Sequence, residues 1–123
     1  MKLSNKTDKE IKVLTGVDRK YFPSLISHAK LFVMASKHEE YPVSLVETMA
    51  CGTPFLSTDA GCSRILPGGI TTIDKKELSM FMNFLEQHPE ILLQRGSIGK
   101  DYANNNNKIS VAINRLEKII LSL

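Results

Sequence analysis

The chain has 123 residues, enough for one domain with a hydrophobic core and too few for two of ordinary size. Hydrophobic residues make up 42% and charged residues 24%, the balance of a globular protein and not of a disordered one. The formal charge of +3 comes from sixteen scattered Lys and Arg against thirteen Asp and Glu, with no basic cluster interleaved with aromatics, so nucleic acid is not an expected partner.

The opening MKLSNKTDKE is polar from Leu3 onward, and no apolar run approaches the roughly 20 residues that span a bilayer. The expected location is cytoplasmic, with a peripheral association with a membrane left open. IKVLTGV, a β-branched run closed by Gly16, predicts a first strand at Ile11 to Thr15. DRKYFPSLISHAK then places Tyr21, Phe22, Leu25, Ile26 and Ala29 on one helical face, with Asp18 as N-cap and Pro23 near the helix start. LFVMA, from Leu31, predicts a second buried strand. These two strands are expected in one sheet, paired directly or through strands borrowed from another copy.

PVSLVETMACG predicts a helix entered by Pro42 and stopped by Gly52. TPFLST follows as a strand, and GITTID as a shorter, less apolar one. From Asp74 the chain turns helical: DKKELSMFMNFLEQ has an Asp-x-x-Glu start and sets Leu78, Phe81, Met82 and Leu85 on one face. Another helix begins at His88-Pro89, a turn is predicted at Asn104 to Asn107, and VAINRLEKIILSL repeats Ile113, Leu116, Ile120 and Leu123 at helical spacing. With no repeat or linker, residues 1–123 read as a single α/β unit: a Rossmann-like parallel sheet of three to four strands followed by C-terminal helices.

Ligands of an open parallel sheet bind at the carboxyl ends of its strands. Ser36 to Pro42 is predicted there, and the amides of Val43, Ser44 and Leu45 open the next helix, where free N–H groups and the helix dipole favour a phosphate. Glu39 and Glu47, with seven residues between them, flank this point. A carboxylate repels phosphate and accepts well from hydroxyls, so these acids suit the sugar part of a ligand. Ser44 to Glu47 also has the spacing of a capping box, in which Glu47 would instead serve the helix start. Cys51 and Cys62 match no zinc or redox spacing and read as idle thiols. GSIGKD, at Gly96, has too few residues between its glycines and lacks the Ser or Thr after Lys that a nucleotide-triphosphate loop needs. A phosphorelay receiver would need an acidic cluster at the end of its first strand, which the sequence does not have.

EEYPVSLVETMACGTPFLSTDAG resembles the donor-binding signature of retaining glycosyltransferases of family 4, in which two glutamates separated by seven residues bracket a tight loop and a Glu-Ala-Met-Ala-Cys-Gly-type helix. The likeness extends back through HAKLFVMAS and more loosely forward into the terminal helices. It implies part of the C-terminal Rossmann-like domain of a GT-B transferase, N-terminally truncated, with a UDP- or GDP-sugar as substrate and no cofactor. Glu39 would be the catalytic-site residue contacting hydroxyls of the donor sugar, with Glu40 beside it; Tyr41 and Pro42 would shape the sugar pocket. Val43, Ser44 and Leu45 would present amides to the diphosphate, and Glu47 would hold the ribose. The expected partners are the nucleotide-sugar, an N-terminal acceptor domain or partner subunit, and a second copy through an exposed sheet edge.

Two positions depart from that signature: Glu40 stands where the family usually has Gly, and Arg64 where members often have Glu. Lys6, Lys9 and Lys12 do not fall where the family's diphosphate-binding cations lie. The alternative reading is a non-catalytic α/β binding or assembly module that keeps the fold without turning over a donor.

Overall fold

The computed structural model describes residues 9–123, so the polar opening and Lys6 lie outside the described residues. Among the described residues, three strands form one sheet in the order β1-β2-β3, all parallel: β1 (Phe32–Met34), β2 (Phe55–Thr58) and β3 (Gly69–Thr72). Phe32 pairs with Phe55 and Phe55 with Gly69, which fixes the register across the sheet. The α-helices of the described residues are α1 (Phe22–Ser27), α2 (Val43–Ala50), α3 (Lys75–Gln87), α4 (Pro89–Asn106) and α5 (Ile109–Leu121). The expected α/β architecture is thus observed, and among the described residues no helix is long and apolar enough to cross a membrane.

All four residues of β2 are buried, as a central strand covered on both faces requires. Phe55 joins Met34, Leu45, Met49, Leu66 and Ala103 in the main core, where α2 and α4 pack together against the sheet. α3 packs against β2 and β3 and buries Leu78 and Leu85, while Phe81 is half-buried and Met82 exposed. The Asp74 start is a full capping box: Lys76 N–H donates to Asp74 at 3.0 Å, and Glu77 accepts from the Asp74 amide at 3.5 Å and from the Ile73 amide at 3.1 Å.

Ile11 to Thr15 is not a strand. It pairs with no strand of the sheet, and Ile11, Val13 and Leu14 are exposed. β-branched residues favour a strand only where a pleated, half-buried surface receives them, and among the described residues none lies against this run. Direct pairing with Leu31–Met34 does not occur, and among the described residues β1 has a strand neighbour on one side.

The helix after Asp18 also differs. Asp18 caps a 3₁₀ turn at Arg19–Tyr21 by accepting from the Lys20 amide at 3.1 Å, and α1 follows with Pro23 in its first turn. Its expected face is mostly exposed, with Ile26 alone half-buried and Ala29 beyond the helix end, because the helix packs chiefly on α2 and on the turn before it. The predicted turn at Asn104 to Asn107 falls later. α4 runs through Asn106, held by buried Ala103 and by the Asn106 side chain donating to the Tyr102 carbonyl at 3.0 Å, so packing overrides the weak helix preference of asparagine.

GSIGKD lies inside α4, where Gly96 and Gly99 are buried contacts and not a phosphate loop. A Cβ on Gly96 would stand 2.4 Å from the Gly52 carbonyl oxygen, so the helix lies directly on backbone there. Gly96→Ala would gain about 1 kcal/mol of helix propensity and lose about 1–3 kcal/mol to overpacking, since a backbone oxygen cannot rotate aside. The expected result is a lower melting temperature; a rise would show that α4 can back away from Gly52.

Candidate functional site

The site lies at the carboxyl ends of β1 and β2, where two loops meet. The loop after β1 carries Ser36 to Tyr41, and the loop after β2 carries Asp59 to Cys62. Thr58 Oγ1 donates to the Ser36 carbonyl at 2.5 Å, joining them. Buried Ser63 sets the second loop by accepting from the Ala60 amide at 3.1 Å and donating to the Thr58 carbonyl at 3.2 Å. Arg64 ion-pairs with Asp59 on the same loop.

Gly61 explains how closely the loops approach. Its φ is +59°, and a Cβ there would lie 2.5 Å from the Glu39 carbonyl oxygen and 2.8 Å from that of Glu40. A side chain would therefore push the glutamate loop outward. Gly61 was not among the residues singled out in the sequence, and its signal there was only the Asp-Ala-Gly turn composition.

The loop delivers Glu39 half-buried and Glu40 exposed, and among the described residues neither carboxylate is ion-paired. Tyr41 is held from the far side, its hydroxyl accepting from Asn107 Nδ2 at 3.1 Å. Pro42 is buried and serves as N-cap of α2, one residue earlier than a first-turn proline. Its ψ of 82° closes an inverse γ-turn in which the Val43 amide donates to the Tyr41 carbonyl at 2.9 Å. The Leu45 amide donates to the Pro42 carbonyl at 3.0 Å, and the Leu45 side chain is core. Of the three amides expected to face a phosphate, only that of Ser44 lacks a backbone partner among the described residues. The Ser44 hydroxyl donates to the Met34 sulfur at 3.6 Å.

Glu47 is not a cap. With Pro42 at the N-cap, Ser44 already lies inside the helix, so a Ser44–Glu47 capping box does not form. The Glu47 carboxylate instead accepts from the Arg19 guanidinium. The pair stands beside a cavity of about 310 Å³ between α1 and α2, lined also by Phe22, Pro23, Ile26, Ala50 and Cys51. The cavity wall is apolar except for these two charges.

Residues 2–65, just over half of the chain, match the family described as glycosyl transferases group 1. The chain belongs to this family. A 2-deoxystreptamine N-acetyl-D-glucosaminyltransferase of Niallia circulans is 39% identical over 49 residues, which is 39% of this chain and 13% of that protein. Among solved structures, the sucrose-phosphate synthase from Thermosynechococcus elongatus superposes with a TM-score of 0.74 at 19% identity, over 89% of this chain and 30% of that one. That likeness shows a shared GT-B-type fold. The chain spans less than a third of the length of either protein.

Two further features of this group 1 chain bear on the site. Burial pushes the Cys51 thiol upward in pKa, the nearby Glu47 adds to the rise and Lys100 opposes it, so the thiol stays protonated and is a poor nucleophile. A larger cavity of about 690 Å³, touching Leu31, Thr53 and Pro54, opens at the amino ends of β1 and β2. Size favours it, but parallel sheets bind ligands at the opposite end, where Glu39 and Glu47 are.

Gly61→Ala tests the loop geometry. A left-handed φ and a backbone clash together should cost about 1–3 kcal/mol. The melting temperature should fall; an unchanged one would show that the glutamate loop can move away from residue 61 at no cost.

Proposed function

We propose that this chain is the donor-binding part of a retaining glycosyltransferase of family 4, holding a UDP- or GDP-sugar for transfer of a hexosyl group to a glycan or lipid acceptor. The observation that carries the reading is Glu47, a carboxylate free of capping duty at the rim of an apolar cavity, on the helix that the Glu39 loop feeds. In this reading the ribose hydroxyls donate to Glu47 while the base enters the cavity between α1 and α2. Glu39 accepts from hydroxyls of the sugar, with Glu40 beside it and Tyr41 and Pro42 shaping the pocket. The Ser44 amide faces the diphosphate, and Val43 and Leu45 contribute through the helix backbone they build. The N-terminal acceptor domain, or a partner subunit, supplies the remaining half of the site. A cytoplasmic location belongs to the same reading, since nucleotide-sugars are its substrates.

The assembly-module reading is favoured by one feature. α5 exposes Ile109, Ile113, Leu116, Ile119 and Ile120 together, and Val111 alone in that helix is half-buried. A panel of UDP- and GDP-sugars titrated by calorimetry separates the two. Weak binding, no tighter than the high micromolar range, with no sugar transfer by the chain alone supports the donor reading; no binding of any donor supports the assembly module. Transfer should be absent because proximity to an acceptor is worth roughly 7–11 kcal/mol, and the leaving diphosphate needs positioned charge.

A further inference from the structure

We propose that Asn107 is a positioning residue of the donor site, holding the Tyr41 hydroxyl so that the corner between α4 and α5 sets the place of the loop that carries Glu39. The inference rests on the donor reading given above. Thr58, Gly61 and Asn107 reach this loop from outside it, and the first two act on its backbone: Thr58 donates to the Ser36 carbonyl, and Gly61 lies against the carbonyls of Glu39 and Glu40. Asn107 acts on a side chain. Its Nδ2 donates to the Tyr41 hydroxyl at 3.1 Å, across 66 positions of sequence. Among the described residues, the side chains of Lys37, His38, Glu39 and Glu40 have no such partner.

Asn107 is itself well anchored. It is the C-cap of α4, and its amide donates to the carbonyl of buried Ala103 at 3.0 Å. Next to it Arg115 of α5 donates to Asn106 Oδ1 at 3.0 Å, while Asn106 Nδ2 donates to the Tyr102 carbonyl at 3.0 Å, so the corner is tied to both helices. Tyr41 is 50% exposed, tethered at its tip and still accessible to a ligand. A tyrosine has only two side-chain torsions, so one bond at the hydroxyl restricts the ring and, through it, the backbone between Glu40 and the γ-turn at Pro42. The nucleoside diphosphate is held from α2, by Glu47 and the Ser44 amide, whereas the sugar is held from this loop. A loosened loop therefore costs sugar recognition and spares the nucleoside diphosphate.

The test compares the tightest-binding UDP- or GDP-sugar of the panel with its own nucleoside diphosphate, by calorimetry on the unaltered chain, Asn107→Ala, Tyr41→Phe and the double variant. Asn107→Ala should weaken the nucleotide-sugar by about fivefold, the worth of one neutral hydrogen bond, and change the nucleoside diphosphate less than twofold. Tyr41→Phe keeps the ring and should give the same loss, and the double variant should lose no more than either single one. Amide hydrogen exchange gives a reading that needs no ligand: Val43, which donates to the Tyr41 carbonyl, should exchange faster in Asn107→Ala, and Cys51, at the far end of α2, should not. Equal losses for sugar and diphosphate would make the contact merely structural, and additive losses in the double variant would uncouple the two residues; either result, or unchanged exchange at Val43, overturns the proposal alone. If the unaltered chain binds neither ligand at millimolar concentration, the donor reading itself fails and this role falls with it.

Discussion

Phe55→Ala is expected to remove about 3–5 kcal/mol of folding stability, as truncation of a buried aromatic does when its surroundings cannot close the gap. Phe55 is 1% exposed on the central strand, within the cluster formed by Met34, Leu45, Met49, Leu66 and Ala103. Its partner on β3 is Gly69, which has no side chain to move into the space, and its partner on β1, Phe32, sits on the sheet edge. Small domains are stable by only about 5–15 kcal/mol, so the variant should sit close to unfolding. Urea denaturation should show a large fall in midpoint with an unchanged slope, and Phe55→Leu should retain most of the stability. A loss under about 1 kcal/mol would mean that α2 and α4 can collapse onto the strand.

Glu47→Gln should weaken nucleotide-sugar binding by roughly tenfold to a hundredfold, the loss of a charge-assisted hydrogen bond of about 1.5–3 kcal/mol. The amide keeps the shape of the side chain but accepts through one oxygen and carries no charge. Stability should hardly move. The side chain caps nothing, and its pair with Arg19, 79% and 38% exposed at the two ends, is worth at most about 1 kcal/mol after solvent screening. Titration of the best donor from the panel, beside a melting curve of the same variant, separates the effects. Unchanged affinity with a lowered melting temperature would return Glu47 to a structural role.

Periodicity made the buried elements legible before any coordinates. LFVMA and TPFLST are apolar runs of strand length, and each contains an observed parallel strand. The stop at Gly52 was legible for the same reason: its φ of +78° completes a Schellman end, with the Thr53 amide donating to Thr48 and the Gly52 amide to Met49. The Asp74 capping box is equally local, since all its partners lie within four residues. The signature from Glu39 to Gly61 pointed to a glycosyltransferase, and the comparisons showed the glycosyl transferases group 1 family.

Contacts between distant residues decided the rest. Ile11 to Thr15 has the composition of a strand, yet a strand exists only where another edge pairs with it, and composition does not supply the edge. Asn104 to Asn106 have the composition of a turn, yet they finish a helix anchored by a buried alanine. For Glu47, spacing alone allowed either a cap or a ligand residue. A one-residue shift of the N-cap to Pro42, and an arginine 28 positions away, took the carboxylate out of the helix start and set it beside a cavity. Gly61 became a site residue only through its approach to the glutamate loop. Thus the sequence by itself determined the α/β class, the core strands and helix ends, and the family signature, because these depend on periodicity and on neighbours within a turn or two. The edge of the sheet, the open amide at Ser44 and the pairing of Glu47 with Arg19 were decided by tertiary structure, because each depends on which far-separated groups packing brings within hydrogen-bonding distance.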